Sequence, residues 1–433
     1  MSPETIGLLG IALLLFLFFL GLPISFTMAF VGFVGLFFLN SPQSALNTLA
    51  QDYFDTLSSY PLSVIPTFIL MGSFAYAAGI SQKLYAACYT WFGALRGGLT
   101  IATVVACSGF AAVCGSTAAT AATMGKIAIP EMKKYNYNDM FSTGTVASAG
   151  TLGILIPPST VFIVYGILTE QSIGKLFVSG IVPGIILTLL FIGVVVITCV
   201  RHPEYGPPGP QTSWGDKFKS LIGIIPATLL FILSIGGLFL GWFSPTQAGA
   251  IGAAGAVVLG IAQREITWKA FIDSGMDGLK TACMVLFIIA GATVFGHFMA
   301  ISNIPFLLAD WVGNLPISPM LIMVVIVFIY FIGGFFMDSM AMIVVTIPIF
   351  YPVVKTLGVD PIWFGVMVVI VCEMGVITPP VGVNVFVIKG IAPEIPLQTI
   401  FRGIFPFLYA LIILAVILFV FPILATWLPA LVY

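Results

Sequence analysis

The residues able to do chemistry gather at four places in this sequence. Ser116–Thr117 close the kink SGFAAVCGST (108–117), and Asp338–Ser339 close GGFFMDS (333–339). Two tandem prolines, Pro157–Pro158 and Pro379–Pro380, interrupt the apolar stretches GTLGILIPPST (150–160) and GVITPPVGVN (375–384). Proline removes a backbone donor and clashes with the preceding turn, so a tandem pair unwinds a helix. Carbonyls freed at membrane depth are tolerated only where buried protein or a water-filled cavity receives them. Such carbonyls, with hydroxyls and one carboxylate, are hard oxygen ligands suited to sodium. Helix N-termini at the same places offer free amides and positive partial charge, suited to a carboxylate.

Asp338 is the sharpest single residue. A carboxylate near the bilayer midplane costs at least ~2.5 kcal/mol on insertion scales, and a bound cation offsets that cost. Its counterpart Ser116 is neutral. Ser, Thr and Asp also make good N-caps, so capping is a second role open to both. Glu373, two residues before Gly375, either tunes a site or faces a polar seam. Thr378 and Asn384 flank the second proline pair as Ser159 and Thr160 flank the first. They reach a ligand or hydrogen-bond to the carbonyls that the prolines orphan. His297 reads as a packed or hydrogen-bonded residue, and His202 carries no signal.

Two absences narrow the chemistry. No Lys or Arg lies at the hairpin tips or proline breaks. A substrate carboxylate would therefore be held by amides, hydroxyls and bound cations. No chain of Asp, Glu and His crosses the apolar regions, which favours sodium coupling over a proton relay. Asp338 has no intramembrane aspartate partner, so a proton-sharing protease dyad is not expected. An enzyme is therefore not expected. An ion or anion channel is the alternative, although pores usually repeat a filter motif rather than carry one unequal Asp338/Ser116 pair.

The elements that position these residues form a repeat. A shift of 222 places Pro157–Pro158 on Pro379–Pro380, Gly153 on Gly375, Pro130 on Pro352, Lys133 on Lys355, and Ser116–Thr117 on Asp338–Ser339. A shift of one residue more places Gly180 and Pro183 on Gly403 and Pro406. Broken helices in corresponding halves point to a transporter's binding site.

Of the 433 residues, 60% are hydrophobic and 7% charged, against about 25% charged in soluble domains, so an all-α polytopic membrane protein is expected. The six scattered cysteines show no C-x-x-C spacing and indicate neither a zinc site nor a disulfide framework. The first apolar run, Ile6–Leu20, lacks a basic leader and a cleavage site and reads as a retained helix. About ten spans are expected: 5–20, 23–40, 60–79, 139–167, 172–200, 218–241, 245–262, 277–300, 361–390 and 397–427. Regions 97–130 and 318–352 read as re-entrant hairpins. Amphipathic arms precede them at 81–95 and 303–315, with Lys83, Tyr85 and Trp91, and Phe306, Asp310 and Trp311, at interfacial depth. Arg201 to Lys219 reads as a Pro/Gly-rich linker.

If the hairpins do not cross, thirteen basic residues fall on one side: Lys83, Arg96, Lys126, Lys133, Lys134, Arg201, Lys217, Lys219, Arg264, Lys269, Lys280, Lys389 and Arg402. Only Lys175 and Lys355 fall on the other, so the first side is cytoplasmic and both termini lie outside. Five spans separate the hairpins, which makes the repeat inverted. The expected division is 1–96, scaffold helices and first arm; 97–200, first hairpin and broken helix; 201–316, linker, scaffold and second arm; 317–433, second hairpin, second broken helix and last helix.

CGSTAATAATMG (114–125), GTLGILIPPS (150–159) and GVITPPVGVN (375–384) together resemble the large membrane subunit of tripartite ATP-independent periplasmic (TRAP) transporters. The likeness covers essentially the whole chain. It implies an elevator-type transporter in a bacterial inner membrane, driven by sodium ions. It also implies two partners: a small four-helix membrane subunit, here expected as a separate polypeptide, and a periplasmic binding protein that delivers an organic acid. Sodium sites would map onto Ser116, Gly153 and Pro157 in one half, and Gly334, Asp338, Gly375 and Thr378 in the other. The substrate site would lie between them, near Thr117, Ser159, Ser339, Pro380 and Asn384. Cys114 stands where the family pattern leads one to expect serine or glycine.

Overall fold

The computed structural model describes residues 1–433 and is built of helices joined by short turns. In the first half these are α1 (Pro3–Phe19), α2 (Ile24–Leu39), α3 (Pro42–Ser58), α4 (Val64–Ala77), α5 (Ile80–Phe92), α6 (Gly98–Cys114), α7 (Thr117–Lys134), α8 (Asp139–Ala149), the single turn α9 (Leu152–Leu155), α10 (Thr160–Thr169) and α11 (Ile173–Arg201). After a connection come α12 (Trp214–Ser220), α13 (Ile225–Phe231), α14 (Gly237–Phe239), α15 (Pro245–Ala262), α16 (Trp268–Ile301), α17 (Ile304–Gly313), α18 (Pro319–Gly334), α19 (Ser339–Thr356), α20 (Pro361–Ile377), α21 (Val383–Ile391), α22 (Leu397–Val420) and α23 (Ile423–Val432).

The repeat runs through most of the element order. The shift of 222 carries residue 117 to 339 and 134 to 356, so α7 falls on α19 end for end. The same shift carries 139 to 361 and 155 to 377, so α8–α9 falls on α20. Both proline pairs hold a cis peptide bond. The correspondence reaches back to the N-terminus: 3–19 falls on 225–241, where α13 and α14 are joined through a wide turn at Ile232–Gly236.

Five helices are long and apolar enough to cross a membrane by length and composition, and three bent pairs bring the number to eight. Further apolar helices of 10–17 residues, among them α1, α2, α6, α18 and α20, fill out the bundle.

Several expected boundaries are corrected. The last span, expected over 397–427, stops at Val420. Pro422 cannot donate to the helix, and Phe421 turns away at ψ 72 before α23 begins. The span expected over 277–300 begins nine residues earlier, at Trp268, where the Thr267 side chain accepts from the Ala270 amide. Residues 42–58, given no element from the sequence, form α3, which Ser41 caps; with the segment Pro61–Ala77 it makes a pair bent by 57°. The shift carries this 42–77 pair onto 264–299, where α16 runs without a break.

The arms also differ from expectation. Phe306 and Trp311 on α17 are exposed as expected, but Tyr85 on α5 is buried within the hydrophobic core. The linker is tied down rather than loose. Gly97 N donates to Gly206 O, Gly209 N to Gly93 O, Asn138 N to Tyr205 O, and Trp91 Nε1 to Lys217 O.

Candidate functional site

Two helix starts and two chain breaks converge on one cleft. Gly115 turns the chain between α6 and α7 with φ +67, a conformation that L side chains rarely adopt. Ser116 then caps α7, its Oγ accepting from Ala119 N at 3.4 Å. Asp338 caps α19 in the same way, its Oδ1 accepting from Ala341 N at 2.7 Å. Both residues thus hold the capping role, and both line the cleft.

Each tip closes against its own broken helix. Thr160 Oγ1 donates to Gly115 O at 3.0 Å. A methyl on Gly153 would lie 2.5 Å from Ser116 O and 2.6 Å from Thr120 Oγ1, so only glycine permits this approach. In the second half a methyl on Gly375 would lie 2.3 Å from the carbonyl carbon of Gly334. The two glycine backbones therefore touch directly.

Glu373 joins the two halves. It is 2% exposed, and no Lys, Arg or His pairs with it. Thr117 Oγ1 donates to its Oε2 at 2.5 Å, and Ser339 Oγ donates to its Oε1 at 2.6 Å. Thr117 and Ser339 are the first residues of α7 and α19 and counterparts in the repeat, since 117 shifted by 222 is 339. Thr117 Oγ1 also lies 3.0 Å from Gly150 O, and Asn384 Nδ2 donates to Ala147 O at 2.9 Å. The second broken helix is thereby fastened to the first.

The other expected residues are more dispersed. Ser159 Oγ caps α10 by accepting from Phe162 N at 3.2 Å, and Thr378 Oγ1 donates to Met374 O at 2.5 Å. These two take up backbone groups near the breaks. Pro157 is buried, Pro380 is exposed, and neither lines the cleft. Cys114 Sγ lies 3.9 Å from Ser116 O. His297 Nδ1 lies 2.8 Å from Asp52 Oδ2 on α3, the hydrogen-bonded role expected of it.

The cleft encloses about 670 Å³. Ser116, Thr117, Asp338, Ser339 and Glu373 form one wall. The facing wall comes from α4, with Ser73 and Tyr76, and from α16, with Asp273, Asp277 and Thr281. Sequence reasoning missed this wall. Its signal was available, because polar residues at 273, 277 and 281 recur every fourth position and so share one helix face. No Lys, Arg or His lines the cleft, while four carboxylates do; of these only Asp277 has a basic partner, Lys280 Nζ at 3.7 Å from its Oδ1.

The donor set suits a hard cation. No group of three or more His, Cys, Asp or Glu is placed to hold a metal ion. Oxygen donors nevertheless converge, and the Thr120 hydroxyl beside Gly153 and the Ser116 carbonyl is buried with no hydrogen-bond partner. The Asn384 side-chain oxygen is likewise buried and unpartnered. Unpaired buried oxygens cost about 1–3 kcal/mol each, which a coordinated ion or ligand would relieve.

Paired helix–turn–helix units, paired broken helices and a polar cleft between them define a membrane transporter. The profile of the family described as "Tripartite ATP-independent periplasmic transporter, DctM component" matches residues 11–424. The C4-dicarboxylate TRAP transporter large permease protein DctM of Pseudomonas aeruginosa is 39% identical over 397 residues, covering 90% of each chain. The sialic acid TRAP transporter large permease protein SiaM of Vibrio cholerae is 30% identical, covering 96% of each. The chain belongs to the DctM family: it is the large permease component of a TRAP transporter and not an enzyme. The solved structure of the Alcanivorax borkumensis YdaH transporter shares the fold, with a TM-score of 0.65 at 17% identity over 88% of this chain and 89% of that one.

Proposed function

We propose that this permease imports a small organic acid, a carboxylate, using the sodium gradient. It works in the inner membrane with a small four-helix membrane subunit and a periplasmic binding protein that delivers the substrate. The observation that carries this reading is the meeting of the α7 and α19 N-termini at one cleft, with Thr117 and Ser339 as hydroxyl donors. Helix N-termini bind anions, yet four carboxylates and no basic residue line the space. A substrate anion there requires cations as company. Sodium at the two tips supplies them, with Ser116, Gly153, Pro157 and Thr120 in one half, and Gly334, Asp338, Gly375 and Thr378 in the other. Substrate then binds between the tips near Thr117 and Ser339, with Ser159, Pro380 and Asn384 as its further shell. An elevator movement of the hairpin region past a scaffold would transfer it.

The relatives' names include C4-dicarboxylate, sialic acid and 2,3-diketo-L-gulonate transporters. We take a C4-dicarboxylate as the first probe. The proposed topology has about ten spans, two re-entrant hairpins of inverted orientation, and both termini periplasmic. Contacts support its sidedness, because groups assigned to the cytoplasm meet one another: Lys83 with Glu265, and Lys133 with Glu394 at 3.0 Å.

Thermal melting of the purified chain in sodium, potassium or choline at equal ionic strength tests the coupling ion. A ligand at ~100 times its Kd stabilises by about 2.7 kcal/mol. A sodium-specific rise, lost in Asp338→Ala, is expected. The same melts with the small subunit present, still showing no preference for sodium, would remove sodium from the mechanism.

A further inference from the structure

A second cavity, of about 460 Å³, lies outside the transport cleft, between the C-terminal part of α11 and the N-terminal part of α22. Its charged lining is basic only: Arg201, His202 and Arg402, accompanied by Tyr205 and Tyr409. Neither arginine makes an ion pair, whereas His202 Nδ1 lies 3.4 Å from Glu204 Oε1. The rest of the wall is largely apolar, and much of it faces outward: Ile197 is 55% exposed, Phe405 42% and Tyr409 63%. The cavity is thus a basic head joined to an apolar flank that continues along the outside of two membrane helices.

Several physical arguments converge on its ligand. An arginine fork matches the oxygens of a phosphate group, and two unpaired forks beside one cavity supply both charge and geometry. Tyrosines at such a boundary sit at headgroup depth. The end of α11 is the negative pole of that helix, so attraction for an anion must come from the side chains. Arg201 and Arg402 both belong to the side that the distribution of basic residues assigns to the cytoplasm. Basic pockets between membrane helices on that side take acidic lipid headgroups.

We propose that this cavity binds an anionic phospholipid, with its phosphate between Arg201 and Arg402 and an acyl chain along Val194, Ile197 and Phe405. The site is independent of the transported substrate. It ties the end of the first half, at Arg201, to a helix of the second.

Native mass spectrometry of the purified full chain in a defined mixture of phosphatidylglycerol and phosphatidylcholine tests this. Wild type is expected to retain phosphatidylglycerol preferentially. R201Q/R402Q is expected to weaken that retention about thirtyfold, equivalent to about 2 kcal/mol for two surface cations, and R201K/R402K, which keeps the charge but not the forks, to fall between the two. If the double variant does not fold, each single Gln variant should still weaken retention about fivefold. K217Q/K219Q removes the same charge from the same end of the molecule and should change nothing. Equal loss in that control, or no lipid preference in wild type, overturns the proposal. Inorganic phosphate at equal excess separates the two sources of the anion: displacement of phosphatidylglycerol would make this a free-phosphate site and end the lipid assignment.

Discussion

At the scale of single residues, Glu373 holds the centre. Its carboxylate accepts from two hydroxyls that begin different helices, α7 and α19, so removing it strands the Ser339 hydroxyl and leaves Thr117 Oγ1 only Gly150 O as acceptor. Each buried donor left unpaired costs about 1–3 kcal/mol. Glu373→Ala should therefore lower the melting temperature clearly, while Glu373→Gln, which keeps an acceptor, should lower it less. An alanine variant that melts like wild type would show the bridge to be energetically idle. Asp338→Ala should lose sodium-driven uptake while remaining folded, since the lost cap costs only about 1 kcal/mol. Ser116→Ala should weaken sodium dependence less; counterflow in proteoliposomes distinguishes the two. Asp338 was legible in the sequence because a carboxylate stood in an apolar region opposite a neutral counterpart. The place of Glu373 was not. Residues 362–377 of α20 are all buried, so no amphipathic face indicates where its side chain points.

At the scale of elements, close packing of backbone on backbone sets the site. Gly403→Ala places a methyl 1.9 Å from the Met140 carbonyl oxygen, where α22 crosses α8, and Gly375→Ala meets Gly334 at 2.3 Å. Each should destabilise by about 1–3 kcal/mol or more. Gly390→Ala meets nothing within 4 Å and should melt near wild type. Outside the membrane, Lys133 at the end of α7 pairs with Glu394 beyond α21. The Glu394 backbone amide, then Lys133, hold its carboxyl below the usual range, and Glu394 raises the Lys133 ammonium. A lowered acid stabilises above its unfolded value and loses that contribution as pH falls through the folded one; a raised base loses it as pH climbs past its own. The wild-type minus Glu394→Gln difference in melting should thus be flat through neutral pH, shrink at both extremes, and fall with added salt. The turns between α6 and α7 and between α18 and α19, and the two breaks, were legible because glycine and proline mark them. Helix α3 was not, since 42–58 has no apolar run. The scaffold wall of the cleft was lost for a related reason. Asp273 precedes the apolar run that defined the expected span, so the helix seemed to start after it.

At the scale of the whole molecule, the two halves share one element order and one cleft. The proposed orientation puts both ends of the chain outside and the connection between halves inside. Cysteines introduced at Ser2 and Tyr433 should react with an impermeant maleimide on intact cells, whereas one at Lys217 should react only after permeabilisation. Labelling of all three from one side would overturn the inverted arrangement. Overall order was legible because a shift of 222 aligns rare residues without gaps. The departure from symmetry was not, because the 57° bend between α3 and α4 has a straight counterpart in α16.

The shared carboxylate also breaks the symmetry of the repeat. Residue 373 shifted back by 222 is Thr151, whose hydroxyl folds onto Ser148 O at 2.6 Å and takes no part in the bridge. A dimer of identical half-length polypeptides obeys its own twofold axis: it carries either two acids competing for the same hydroxyls or none. One acid serving both Thr117 and Ser339 can exist only once the two halves differ in sequence. The bridge therefore depends on positions 151 and 373 being different, and the first half paired with itself would hold the hydroxyls but no acid.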